Sequence, residues 1–205
     1  MNMKYAIYYN YKTIGDVLLI IFDSNLKPDK VIKEEDVVSL YRENNLIGIN
    51  IFNISEIIKI KADGLIPVLN EKMLLVINDI LKNHNLPILD YQKESGFKVA
   101  KILTCEEHPD SEHLHVLTVD VGEEKPLDIV CGAINARAGL LCVCATPFTF
   151  MPNGQQIIPS KLLGIQSNGM LCSGRELNLP GYENTHGLLE LDENYKVGSD
   201  FFKLM

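Results

Sequence analysis

Apolar positions change their rhythm twice along this chain. Tyr5-Ala6-Ile7-Tyr8-Tyr9 is aromatic and strand-like, and Val17-Leu18-Leu19-Ile20-Ile21-Phe22 is a short apolar run of the buried-strand type. Gly15 and Asp16 between them predict a turn, and so a hairpin. Leu46 to Ile54 alternates β-branched with polar residues and predicts another strand. Apolar residues at 73, 74, 76, 77, 80 and 81 have helical spacing, and Pro87 is expected to end that helix. Asp90 to Gly96 is polar and turn-rich, which places a boundary between residues 95 and 96. Beyond it the strand-like segments are short and close together: Phe97–Cys105, His115–Val121, Leu127–Cys131, Leu140–Ala145 and Gly187–Leu191. In the second of these, Leu117, Val119 and Val121 alternate with Val116, Thr118 and Asp120, the pattern of a half-buried strand. The expectation is an α+β domain over 1–95 followed by an all-β domain over 96–205. Periodicity leaves a small barrel and a sandwich both open.

Composition adds few constraints. A chain of 205 residues that is 46% hydrophobic and 22% charged describes an ordinary globular protein with core enough to fold without metals or disulfides. No apolar run reaches the length of a membrane span. The start shows no basic, apolar and small-residue succession of a secretory leader, so a cytoplasmic protein is expected. The five cysteines, at 105, 131, 142, 144 and 172, sit among Val, Ile, Leu and Ala and read as reduced, buried thiols. Net charge is −8; residues after Ser95 carry 8 basic and 14 acidic side chains and are the more acidic half.

The segment Ser167-Asn168-Gly169-Met170-Leu171-Cys172-Ser173 stands out, together with Asp128-Ile129-Val130-Cys131-Gly132-Ala133-Ile134-Asn135 upstream. With Glu107-His108-Pro109-Asp110 and Val119-Asp120-Val121-Gly122, these stretches resemble the tRNA-binding oligonucleotide-binding (OB) domain. That module is inserted near the start of the bacterial phenylalanyl-tRNA synthetase beta subunit and is similar to free-standing tRNA-binding proteins and to the endothelial monocyte-activating polypeptide module. The resemblance covers roughly Phe97 to Asp200, and a small N-terminal domain ahead of it looks like the YtpR-type arrangement. It implies an OB-fold, a five-stranded barrel, for 96–205. It also implies tRNA as partner, with no cofactor and no catalysis. A second copy of the chain (a homodimer) or an aminoacyl-tRNA synthetase are further expected partners, and a membrane is not.

OB-folds bind oligonucleotides on the face of strands 2 and 3, between the loops joining strands 1–2 and 4–5. Those places map to Glu106–His113, Cys131–Arg137 and the connection Met151–Ser173. The chemistry needed is a few cations for phosphate, amides and hydroxyls for sugar or base edges, and flat or soft surfaces for stacking. Ser167, Asn168, Met170 and Ser173 fit it, although Asn168-Gly169 also fits a plain tight turn. In the resembled module a Leu-Arg-Gly-like triplet precedes this segment; here it is Leu162-Leu163-Gly164, without the cation. Asn135 either contacts RNA or shapes its loop, and Arg137 suits phosphate. Lys98, Lys101, Lys161 and Arg175 complete a candidate basic stripe if they share a face. The alternative is scattered solvated charge. His108 suits ordering of the strand 1–2 loop or stacking on a base.

Other classes have less support. His108, His113, His115 and Cys105 invite a metal reading, but no Cys-x2-Cys or His-x3-His spacing accompanies them. There is no Gly-x-Ser-x-Gly, phosphate-binding Gly-rich loop or His-Glu-x-x-His. Glu106-Glu107 and Glu123-Glu124 are adjacent pairs whose side chains point apart on extended chain. Binding of tRNA by shape and phosphate contacts is the expected activity. The rival is a protein-interaction or dimerisation module with little RNA affinity, which the acidic balance favours.

Overall fold

A computed structural model describes residues 4–205. The chain divides into two compact units, one ending at Glu94 and the other running Ser95–Met205.

The first unit is built on one antiparallel sheet. Its strands are β1 (Ala6–Tyr9), β2 (Val17–Ile21), β3 (Lys30–Glu34), β4 (Val37–Arg42), β5 (Asn45–Phe52) and β6 (Gly64–Ile66), in the order β3-β4-β5-β2-β1-β6. The expected β1–β2 hairpin forms, with Tyr9 opposite Leu18, but a one-turn helix α1 (Tyr11–Ile14) replaces the simple turn. The only longer helix among the described residues is α2 (Glu71–Asn83), which packs Met73, Leu74, Ile77 and Leu81 into a core with Ile7, Leu18, Ile20, Ile49 and Ile51. Asn70 caps α2 by accepting the Met73 amide at 2.9 Å. Pro87 is not what stops it. The helix stops at Asn83, and Asn85 takes the left-handed conformation (φ 54°) while the Leu86 amide returns to the Leu81 carbonyl at 2.9 Å. That is a Schellman termination. The unit is therefore β-rich with little helix, more so than the α+β expectation.

The second unit is a curled five-stranded half-barrel. Its strands are β7 (Phe97–His108), β8 (Ser111–Asp120), β9 (Leu127–Cys131), β10 (Leu141–Ala145) and, after a small hairpin of β11 (Ser160–Leu162) and β12 (Ile165–Ser167), β13 (Met170–Cys172). The sheet order is β13-β10-β7-β8-β9. Its two edges meet where the Asn168 amide donates to the Asp128 carbonyl at 2.8 Å and the Val130 amide donates to Ser167 Oγ at 3.2 Å. The core inside the curl is Ala100, Ile102, Leu117, Val119, Ile129, Cys142, Cys144 and Leu171.

Two expectations are corrected. Gly187–Leu191 is not a strand: it crosses the sheet through single bonds, Leu189 N to Cys172 O at 2.9 Å and Leu191 N to Leu141 O at 2.8 Å. The fifth strand is Met170–Cys172 instead. Glu106–His113 is not a loop either, because β7 and β8 run on to a tight turn at Pro109-Asp110.

The C-terminal segment ties off the unit. Asp200 accepts both the Ser95 amide and, at 2.8 Å, the Ser95 hydroxyl, while Phe97 and Phe202 meet edge to face at 5.0 Å.

Candidate nucleic-acid interface

A cleft of about 420 Å³ opens where the end of β9, strand β13 and the 185–188 segment converge. Met170, Ser173 and Arg175 line it, and so do three residues that sequence reasoning missed: Ile134, Thr185 and His186. Ile134 is 91% exposed, an apolar side chain at a loop tip with no packing role. Arg175 is also exposed.

Local structure holds these walls. Ser173 and Glu176 form a reciprocal cap: the Ser173 amide and hydroxyl both donate to Glu176 Oε2 at 2.7 Å, and the Glu176 amide donates back to Ser173 Oγ at 3.2 Å. The hydroxyl of Ser173 is thereby committed to orienting the turn that carries Arg175. Gly174 has no side chain because the Tyr182 ring occupies the place of a Cβ. Glu176 and the 182–188 segment carried no signal in one dimension, since only tertiary contacts bring them here.

The 131–137 loop is clamped to the same segment. The Asn135 side chain accepts the Leu188 amide at 2.8 Å and donates to the Leu188 carbonyl at 3.1 Å and to Glu190 Oε1 at 2.9 Å. Gly187, at φ +88°, leaves the room this requires. Arg137 donates to both Glu190 oxygens, at 2.9 and 2.6 Å, and to the Asn135 carbonyl at 3.0 Å. Asn135 is thus a loop organiser, and Arg137 is paired in a bidentate fork.

Arg137 first and Asn135 second pull the Glu190 carboxyl down to about 2. A carboxyl lower in the folded than in the unfolded chain stabilises the fold above its unfolded value and loses that contribution as pH falls. Both partners are about half exposed, so solvent screens much of the effect. Glu190→Gln is expected to lower the urea midpoint slightly at pH 7, the gap from wild type closing between about pH 5 and pH 2. A gap constant with pH would assign the loss to packing.

The remaining candidates scatter. Strand alternation puts Lys98 and Lys101 on opposite faces of β7. Lys101 lies opposite Asp120. His108 is 3% exposed and its Nδ1 accepts the Asp110 amide at 3.1 Å, so it orders the β7–β8 turn and offers no face to a base. Lys161 is exposed on β11. Ser167 and Asn168 close the half-barrel, and Asn168 Oδ1 accepts from Gln166 Nε2 at 3.0 Å. Gly169 packs so closely that a Cβ would stand 3.0 Å from the Ala145 carbonyl. Alternation with buried Leu117, Val119 and Ile129 turns Thr118, Asp120, Asp128 and Val130 outward on β8 and β9, which places two carboxylates on that face.

Among the described residues no three His, Cys, Asp or Glu side chains are placed to hold a metal, and no helix is long and apolar enough to cross a membrane. All five cysteines are free. Burial pushes the Cys142 thiol up to about 12 and raises those of Cys144 and Cys172 as well. Iodoacetamide is expected to label Cys105 and Cys131, which are only half-buried, well before the other three, which should react only on unfolding. Mass spectrometry of a labelling time course reads this directly, and early modification of Cys144 would contradict it.

Residues 97–200, the whole of the half-barrel, match the family described as "Putative tRNA binding domain", and residues 24–88 match a domain of unknown function, DUF4479. The chain belongs to this tRNA-binding-domain family. It is a homologue of the "Putative tRNA-binding protein YtpR" of Bacillus subtilis, with 36% identity over 199 residues, 95% of this chain and 98% of that protein. The phenylalanine–tRNA ligase beta subunit of Novosphingobium aromaticivorans is 46% identical over 107 residues, 52% of this chain but 13% of that subunit. That of Bartonella henselae is 47% identical over 109 residues, again 13% of its length. The C-terminal domain of Plasmodium vivax p43 overlaps 50% of this chain and 56% of its own at a TM-score of 0.37 and 24% identity, a likeness too loose to carry an argument.

Proposed function

We propose that the second unit is an OB-fold that binds tRNA without catalysing a reaction on it. The strand order supports the fold: numbered within the five-stranded sheet alone it runs fifth-fourth-first-second-third, with the third and fifth edges joined through Ser167 and Asn168. The family match and the YtpR homologue support the ligand. The observation that carries the site is the convergence of Arg175, His186, Met170 and Ile134 on one cleft. Arg175 supplies charge for phosphate, His186 a flat ring for stacking, and Met170 and Ile134 adaptable apolar surface. Few side chains there suit base edges, so shape and backbone contacts dominate. The protein would hold tRNA for a partner, such as an aminoacyl-tRNA synthetase or a second copy of itself, or raise its local concentration, acting in the cytoplasm where tRNA is charged.

Photocrosslinking with 4-thiouridine-substituted tRNA tests the location. Adducts are expected on peptides containing Ile134, Met170 or His186. Adducts confined to the outer face of β8 and β9 would overturn the cleft, and an absence of adducts with detectable binding to a protein partner would favour the interaction-module reading.

A further inference from the structure

We propose that the first unit carries a separate cleft for one unpaired RNA nucleotide, its base stacked on Tyr11 and its phosphates held by Lys12 and Lys61. This goes beyond the tRNA reading of the second unit and uses none of its residues.

The starting observation is a helix that buries nothing. All four residues of α1 are solvent-exposed, and Tyr11 is 62% exposed. An element that adds nothing to the core is nevertheless carefully ended. Asn10 accepts the Thr13 amide through its side chain at 3.2 Å, and Gly15, at φ +82°, returns its own amide to the Tyr11 carbonyl at 3.2 Å. The result is a pinned one-turn backbone that presents Tyr11 and Lys12 to solvent.

Opposite them lies the stretch leading into β6. Pairing of β6 with β1 sets Tyr9 against Gly64 and so brings Ile60 to Asp63 beside Tyr9 and Tyr11. Together these residues enclose an open cleft of about 520 Å³ lined by Tyr9, Tyr11, Lys12, Ile60, Lys61 and Asp63. Its back wall is rigid: the Tyr9 hydroxyl donates to Asp16 at 3.1 Å, and the same carboxylate accepts the Ser55 amide at 3.1 Å and hydroxyl at 2.7 Å. Among the described residues neither Lys12 nor Lys61 is in an ion pair.

An exposed aromatic ring flanked by two unpaired ammoniums is the chemistry of a single-stranded nucleic-acid contact, in which rings stack bases and cations track the backbone. Ile60 gives the base an apolar floor, and Asp63 can accept from a ribose hydroxyl or an exocyclic amine. An acidic peptide would use the lysines and the Tyr11 hydroxyl, which Tyr11→Phe removes, whereas a stacked base needs only the ring.

The test uses the full chain and two labelled probes, an eight-nucleotide oligo(A) and unfractionated tRNA, read by fluorescence anisotropy at low salt. Tyr11→Ala and the double variant Lys12→Ala/Lys61→Ala are each expected to weaken oligo(A) binding about tenfold. Tyr11→Phe should keep it, since the ring is retained. All three sites are exposed, so thermal melts should be unchanged. Arg175→Ala should leave oligo(A) binding intact while weakening tRNA, so failure of one cleft is distinguishable from failure of the other. No oligo(A) binding by the wild type, binding indifferent to Tyr11→Ala, or tighter binding of labelled oligo-glutamate than of oligo(A) would each overturn the proposal.

Discussion

Gly122→Ala is expected to cost the second unit about 2–4 kcal/mol and to lower its melting temperature by roughly 10–20 °C. Gly122 follows β8 at φ +77°, a conformation that disfavours a side chain. A Cβ there would also press on the backbone of Gly198, which is itself at φ +85°. Gly198 cannot retreat cheaply. Its amide donates to the Val99 carbonyl at 2.9 Å, and the Val99 amide donates to the Ser199 carbonyl at 2.8 Å, so movement would strip the C-terminal segment from β7. The same movement would disturb Asp200, which holds Ser95 at the start of the unit. Differential scanning calorimetry measures the effect. A variant that melts within a degree or two of wild type would show that the contact relaxes without cost.

Arg175→Ala is expected to weaken tRNA binding about tenfold or more, the scale of one charge-assisted hydrogen bond lost. Arg175 is the one cation among the residues of its cleft and is exposed on a turn fixed by the Ser173–Glu176 cap. Arg137→Ala should do less to affinity directly, because that guanidinium is already engaged by Glu190. Its effect should instead follow the stability of the 131–137 loop. Equal losses in the two variants, with melting unchanged, would mean that Arg137 leaves Glu190 to meet RNA.

What could be read from the sequence follows from what each residue reports about its own neighbourhood. Leu127–Cys131 and the helix around Met73–Leu81 were legible because their alternating or helical apolar spacing matches the face they bury. Strands β3 and β4 were not. Four of five residues of β3 are exposed, and β4 turns Ser39 inward where the pattern asks for an apolar side chain. The hairpin between β4 and β5 rests on positive φ at Glu43 and Asn44, and Glu is a poor advertisement for that conformation. Met170–Cys172 was hidden because three residues are too few to show a period and Asn168-Gly169 reads as a turn.

The site divides the same way. The Ser-Asn-Gly-Met segment leads into the cleft, which Met170, Ser173 and Arg175 line. Its most conspicuous polar residues turn out to hold structure: Ser167 closes the barrel, Asn135 clamps Leu188, and Arg137 finds a carboxylate 53 residues away. Pairing over that distance leaves no trace in local pattern. His186 and Thr185 reach the cleft only because Leu189 hydrogen-bonds β13 and Asn135 grips the neighbouring backbone.

An acidic protein, net −8, is proposed to bind tRNA through a cleft that offers one guanidinium, Arg175, among largely apolar walls. A salt titration of tRNA affinity tests it most directly. Measurable binding is expected at low salt, with log K falling linearly against log salt at a slope between about −1 and −3, the release of counterions from a few phosphates. Absence of binding at the lowest salt, or affinity independent of salt, would contradict it.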